Sequence, residues 1–333
     1  MSAGWQSGYA AACKAVYAGS IPASASKLSI LIMKFKKLNK AIIPVAGLGS
    51  RMLPATKAIP KELLPIYDKP IIEHVVKEAI SGGITEIIFI TRSGKEAIEN
   101  HFDNNYELEH RLEKKGSNIS LKQIKNILPK EIKISSIRQN DALGLGHAIL
   151  CAKHLINNEP FAILLPDVLV VDDKSLPEHH SFSAMKKVWD ETGIGQIMVE
   201  QVEQELVENY GIVDLNKTIL DTFSSKEIKR LVEKPLPKDA PSNYAILGRY
   251  ILPPDIMDFI DSSNTGVGGE IQLTDALDKF LEHHPLNGFL TNAMIFDCGN
   301  KRGFIGANLA IGLRDIETFK YLKKLLNKLI QNV

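Results

Sequence analysis

Residues 41–46, Ala-Ile-Ile-Pro-Val-Ala, are continuously apolar and run into Gly47. Such a run, bounded by glycine, predicts a strand buried on both faces. Over 71–80 the pattern changes period. Ile72, Val75, Val76, Ala79 and Ile80 recur at helical spacing, and Ser81-Gly82-Gly83 stops the helix. Residues 86–91, Glu-Ile-Ile-Phe-Ile-Thr, predict a second buried strand. Strand, helix and strand in this order make a βαβ unit and a parallel sheet. The alternation continues with a strand over 131–137, a helix over 146–156 and a strand over 161–165. Residues 104–130 carry helical periodicity between two strands and predict a helical insertion.

The second half is more mixed. Strands are predicted over 194–202, 229–233, 243–252 and 293–297, and helices over 254–261, 271–282 and 303–330. Strands without regular helices between them suggest an added antiparallel layer. The fold class is therefore α/β: a three-layer, mostly parallel, Rossmann-like sheet flanked by helices, with a smaller antiparallel sheet and helical insertions. The apolar face of the last segment (Phe304, Leu309, Leu313, Ile316, Tyr321, Leu325, Leu329) suits either core or a subunit contact.

Composition narrows the classes. The chain has 333 residues, 44% hydrophobic and 24% charged, enough for a sizeable core. With 40 basic and 39 acidic residues the net charge is +1, which gives no general nucleic-acid surface. No run of 18 apolar residues is present, so no membrane span is expected. Cys13, Cys151 and Cys298 are too far apart for a metal knuckle, and their odd number suits no disulfide framework; a cytoplasmic protein is expected. The nine histidines show no HExxH or comparable ligand spacing.

Residues 1–32 contain no acidic residue and are rich in Ala, Ser and Gly. Gly19-Ser20-Ile21-Pro22 is what the T-arm of a transfer-RNA gene encodes in one frame. The segment is therefore expected to be upstream sequence, with Met33 the natural first residue. Residues 1–38 are set aside as an N-terminal extension, and 39–325 are expected to form a single domain.

Chemistry enters where the first strand ends, at Ala46-Gly47-Leu48-Gly49-Ser50-Arg51. A glycine pair lets backbone amides approach a phosphate or a base, and Arg51 adds a fixed cation. Taken alone the pair could mark only a tight turn. Met52 leaves GxGxxG incomplete, and no Gly-Lys-Ser/Thr follows, so neither a dinucleotide fingerprint nor a Walker A loop is present. Ten residues beyond Arg51 stands Lys61, in Pro60-Lys61-Glu62-Leu63-Leu64-Pro65. Two cations fixed near one strand end are what phosphoryl or nucleotidyl transfer needs, because little covalent help is required. Asp167 follows Pro166 just past a buried strand, where open α/β sheets bind ligands.

The stretch from Gly47 through Arg51, Lys57 and Lys61 to Pro65 closely resembles the signature of bacterial UTP–glucose-1-phosphate uridylyltransferases. The resemblance runs from about residue 40 to 320 and takes in Glu99–Asp103, Gly144–Ala148, Leu165–Val168, Val232–Pro235, Pro241–Tyr250, Glu270–Asp275 and Asp297–Asn300. It implies a GT-A-like nucleotidyltransferase fold. Residues 39–175 would be a nucleotide-binding half, 176–300 a sugar-binding half, and 301–330 a C-terminal helix. The implied reaction joins UTP to glucose 1-phosphate with Mg²⁺, giving UDP-glucose and pyrophosphate.

Carried over position by position, the resemblance makes Arg51, Lys61, Asp167 and Lys234 catalytic. Ala46, Gly47, Leu48, Gly49, Lys61, Glu62, Gln139 and Gly144 would bind the nucleotide. Gly211, Glu233, Lys234 and Gly248 would bind the sugar phosphate. Asp167 and Asp297 would hold the metal, and a homodimer or homotetramer is implied. The chain departs from the pattern at Asn140, Leu143 and Gly269, where the family has glycine, a basic residue and aspartate. The alternatives are a sibling transferase using another base or sugar (dTTP, ATP or CTP), and a non-catalytic nucleotide-sugar sensor.

Overall fold

The computed structural model describes residues 36–260 and 269–330, and in it the apolar runs become strands and the periodic segments helices. The expectations for residues 1–32, for Met33 and for the Gly268 loop position lie outside the described residues. The sheet and every site below belong to the unit that begins at Leu38.

Strand β1 (Lys40–Pro44) leads through three single 3-10 turns to the short hairpin of β2 (Pro65–Ile66) and β3 (Lys69–Pro70), then to helix α1 (Ile71–Ser81). Strand β4 (Glu86–Thr91) is followed by α2 (Glu96–Phe102), the inserted pair α3 (Tyr106–Lys114) and α4 (Asn118–Lys125), and β5 (Lys133–Arg138). Next come α5 (Leu145–Cys151), α6 (Lys153–Ile156), β6 (Phe161–Leu164), β7 (Val168–Val171), α7 (His180–Thr192) and β8 (Gly195–Gln201). Strands β9 (Gly211–Asp214), β10 (Ser225–Glu227), β11 (Arg230–Glu233) and β12 (Tyr244–Leu252) follow, then α8 (Leu273–Leu281), β13 (Leu286–Leu290), β14 (Met294–Asp297), α9 (Lys301–Gly312) and α10 (Ile316–Ile330).

The main sheet has the order β10-β13-β8-β12-β6-β1-β4-β5, with β9 branching from β12 and β11 pairing β9. Strands β6, β1, β4 and β5 are parallel, as the βαβ pattern requires. Strand β12 lies antiparallel between β6 and β8, so one sheet runs across the 39–175 and 176–300 segments. Its two faces are filled by alternate residues of the same strands. Ile42, Ile88, Ile163 and Val199 pack on one side, and Ile43, Phe89, Leu164 and Met198 on the other. That double burial is why these strands read as unbroken apolar runs. A separate antiparallel ribbon pairs β7 with β14 and roofs a third small core with Met52, Leu64, Ile66 and Ala307.

Two helix expectations are corrected. The segment 303–330 is two helices, not one: the first ends at Gly312, and the Asp315 side chain caps the second by accepting from the Thr318 amide at 2.8 Å. The apolar period continues across the break, which hid it. Over 254–260 the chain forms only a 3-10 turn, Pro254–Asp258, and residue 261 lies outside the described residues.

Candidate active site

The ends of β1, β6 and β14 converge on one cluster of charges. After β1 the chain turns at Gly49, whose φ of 71° is left-handed and whose carbonyl accepts from Thr56 Oγ1 at 2.8 Å. This turn projects Arg51. A 3-10 turn begun by Pro60 sets Lys61. A Cβ added at Gly47 would lie 3.7 Å from Lys61 Nζ, so the ammonium sits beside the glycine loop. Lys61 Nζ donates to Asp167 Oδ2 at 2.5 Å.

Asp167 owes its place to the turn between β6 and β7. The β7–β14 ribbon pairs Val168 with Asp297, bringing the two carboxylates side by side across 130 residues of chain. Arg51 spans them, at 3.0 Å from Asp297 Oδ2 and 3.7 Å from Asp167 Oδ2. Burial alone would push the Asp167 carboxyl upward, but Lys61 and Arg51 outweigh it and hold its pKa below the usual carboxylate range. Two cations and two carboxylates thus balance one another in the free protein.

Beyond this cluster opens a cavity of about 440 Å³. Arg51, Asp167, Gly211, Glu233, Lys234, Gly248 and Asp297 all line it. Glu233 closes β11 and accepts from Thr274 Oγ1 at 2.7 Å. Lys234 takes a left-handed backbone (φ 47°), and its amide donates to the Tyr210 carbonyl. Its ammonium stands 3.6 Å from Glu233 Oε1 and is more than half exposed. A Cβ on Gly211 would come within 3.2 Å of Glu233 Oε2 and 3.1 Å of Ile246 Cδ1, so a larger residue there would crowd that carboxylate.

The remaining expected residues lie elsewhere. Gln139 is buried beyond β5; its Nε2 donates to the Gly144 carbonyl at 3.1 Å and lies 3.0 Å from His147 Nδ1. Gly144, with φ 96°, leaves no room for a side chain, since a Cβ would meet Glu270 Cβ at 2.8 Å. The Gly146 amide donates to Ile271 O and the Ile271 amide to Leu143 O, tying the two loops together. Ala46, Gly47, Leu48 and Gly49 form the turn beside Lys61, with Leu48 exposed. Glu62 is turned inward. It is 1% exposed and bonded to buried Lys95 at 2.6 Å, and burial raises its pKa against the pull of that lysine.

The structure also adds residues that the sequence reading missed. Arg249 in β12 is fully buried and makes a two-pronged pair with Glu78 of α1, both bonds at 2.8 Å. The same guanidinium donates to the carbonyls of Leu165 (2.9 Å) and Val168 (2.7 Å), which bracket Asp167. A lone arginine inside a strand buried at all nine positions was the readable signal. Its neighbour Gly248 helps: the Gly248 carbonyl accepts from the Leu165 amide at 3.0 Å. At its φ of 75° a Cβ would sit 2.4 Å from Leu165 Cδ1. Gly248→Ala should therefore cost about 1–3 kcal/mol of stability, the scale of a forced backbone conformation; denaturant unfolding measures it, and an unchanged midpoint would count against the close packing.

Comparison with known proteins places this geometry. The Nucleotidyl transferase family model matches residues 40–312. A UTP–glucose-1-phosphate uridylyltransferase of Haemophilus ducreyi is 45% identical over 294 residues, 88% of this chain and 100% of that protein. The enzyme of the same name from Escherichia coli K12 is 46% identical over 278 residues, 84% of this chain and 91% of its own. Among solved structures, the UTP-bound UGPase of Acinetobacter baumannii superposes with a TM-score of 0.81 at 42% identity, covering 88% of this chain and 100% of that one.

Proposed function

The chain belongs to the nucleotidyl transferase family, and from that premise we infer that it transfers a uridylyl group from UTP to glucose 1-phosphate, giving UDP-glucose and pyrophosphate. The relatives that carry this activity in their names match nearly end to end. One observation in the structure supports it above the others: the Lys61–Asp167–Arg51–Asp297 cluster stands at the edge of a cavity that also holds Glu233 and Lys234.

A phosphate oxygen of glucose 1-phosphate attacks the α-phosphorus of UTP. The new P–O bond forms as the bond from that phosphorus to the β-phosphate oxygen breaks, in line, and pyrophosphate departs. The nucleophile is already anionic near neutrality, so no strong general base is required. The obstacle is repulsion between two polyanions, and Arg51, Lys61 and Lys234 are assigned to offset it. Glu233 is assigned to ring hydroxyls, Gln139 and the Gly144 backbone to the base, and the Gly47–Gly49 amides with Ala46 and Leu48 to the nucleotide. Binding then aligns the reactants. Glu62 serves from behind, through its buried pair with Lys95, rather than by touching the nucleotide.

A divalent metal fits the same place, and Mg²⁺ is the ion assigned. A Cβ on Gly299 would lie 2.8 Å from Asp167 Oδ2, 2.9 Å from Asp297 Oδ1 and 2.6 Å from Arg51 Nη2, so both carboxylates face one small space that they share with the Arg51 guanidinium. Among the described residues no group of three or more His, Cys, Asp or Glu could cage a metal. Magnesium needs only one or two carboxylates, with phosphate oxygens and water completing its shell. When bound, the ion would neutralise phosphate charge. Among the described residues no helix is long and apolar enough to cross a membrane, and the triphosphate substrate assigns the enzyme to the cytoplasm. The exposed Ile305, Leu309, Ile316, Phe319, Leu326 and Leu329 of α9 and α10 support a homo-oligomer, dimer or tetramer.

A panel of nucleoside triphosphates and sugar 1-phosphates, read by pyrophosphate release, tests the reaction. UTP with glucose 1-phosphate should give the highest kcat/KM. A preference for dTTP, ATP or CTP would reassign the chain to a sibling activity. Tight UDP-glucose binding without turnover in Mg²⁺ would make it a sensor.

A further inference from the structure

One acidic side chain of the cavity has no part in the chemistry above. Glu200 stands near the end of β8, two residues beyond Met198 and thus on the same face of the sheet. Met198 is fully buried in the apolar core; Glu200 is only half-covered, where that core gives way to the cavity. It lines the cavity together with Tyr210, Gly211, Glu233 and Lys234.

What sets Glu200 apart is its lack of partners. Glu233 is held by Thr274 and faces Lys234. Asp167 and Asp297 are matched by Lys61 and Arg51. Glu200 has no hydrogen bond or ion pair from any described side chain, and burial, unopposed, pushes its pKa up to about 7. The Tyr210 phenol of the same cavity is itself raised by burial and by the charges of Glu200 and Asp297. Removing a carboxyl from water without a compensating bond costs stability. An unpartnered carboxyl facing an open cavity is poised for a donor that arrives with the ligand. The cations of the cavity already suit a phosphate, which leaves the hydroxyl-bearing ring.

We propose that Glu200 accepts a hydrogen bond from a hydroxyl of the hexose ring and is a specificity-determining residue for the sugar 1-phosphate, separate from the Glu233–Lys234 pair. The proposal rests on the uridylyl-transfer reading above, and it deepens that reading by adding a second acceptor for the hydroxyls of the hexose ring. A hydroxyl donating to a carboxylate is replaced in a deoxy sugar by nothing, and the carboxylate is then left buried and unpaired.

The test is a cycle between sugar hydroxyls and the side chain. kcat/KM is measured for glucose 1-phosphate and its 2-, 3-, 4- and 6-deoxy analogues, with wild type, Glu200→Ala and the isosteric Glu200→Gln. The wild type should lose about tenfold or more on at least one analogue, the scale of leaving a buried acceptor unpaired. In Glu200→Ala that same penalty should shrink to within about twofold, while the others persist, as independent contacts do. Glu200→Gln, which keeps shape and surface, should give an intermediate penalty and secures the result if the alanine variant folds poorly. KM for UTP should stay unchanged in both. Equal penalties in wild type and both variants would overturn the proposal. Failure of wild type to turn over UTP with glucose 1-phosphate itself would strike the uridylyl-transfer reading instead, and this proposal with it.

Discussion

Asp167→Ala and Lys61→Ala should each lower turnover at least ~100-fold, the scale for losing one electrostatic stabiliser of developing charge. The two side chains meet at 2.5 Å, and each fixes the other. Without Lys61, Asp167 keeps only the longer contact to Arg51 and its carboxyl is drawn upward by burial. Without Asp167, Lys61 loses its anchor and the proposed metal loses a ligand. The loss should fall on kcat more than on KM for glucose 1-phosphate, because Glu233 and Lys234 stand at the end of β11, make no hydrogen bond or ion pair to Lys61 or Asp167, and remain intact. The depressed pKa of Asp167 keeps it ionised throughout the neutral range, so it should give wild-type activity no acidic limb above about pH 4, the unperturbed value. Steady-state kinetics with pyrophosphate detection measures both effects. Near-normal turnover in either variant would remove that residue from the assigned machinery.

Those two residues were legible because each sits at a break in a strong pattern. Asp167 follows an apolar strand and a proline, and Lys61 stands between prolines after a glycine turn. The parallel half of the sheet was legible for the same reason, since strands buried on both faces announce themselves as unbroken apolar runs. Other features depend on pairings that no local window contains. Nothing near Asp297 says that β14 pairs with β7; the register of that ribbon alone brings the two aspartates together. Glu62 was carried over as a nucleotide contact by the resemblance, yet a 3-10 turn sends consecutive side chains in different directions, and Glu62 points inward to Lys95. Glu200 is invisible as a site residue because it ends a strand like any surface glutamate. Its environment is made by Tyr210 and by β12, which is far away in sequence. Local chemistry was readable, then, wherever the chain itself built the environment, and hidden wherever tertiary pairing did.

Arg249 is the sharpest case of the second kind, and its removal should show how the fold reaches the chemistry. Arg249→Met leaves Glu78 charged and enclosed, 1% exposed, and should cost about 3–5 kcal/mol, the penalty for breaking a buried pair from one side. Turnover falls as well, but that variant alone cannot separate instability from misplacement. The double variant Glu78→Leu with Arg249→Met can. Replacing both ends of a buried pair with apolar groups is often close to neutral. Here the carbonyls of Leu165 and Val168 still lose their donors, at about 1 kcal/mol each for an ordinary hydrogen bond. Unfolding should therefore recover most of the way toward wild type. Turnover should not recover: those carbonyls bracket Asp167, and a shift of about 1 Å in a reacting group can cost ~100-fold. A double variant that regained both its melting temperature and its kcat would show that Arg249 only fills the core. One that regained the first without the second would show that Arg249 holds Asp167, and through it Lys61, in the geometry the reaction needs.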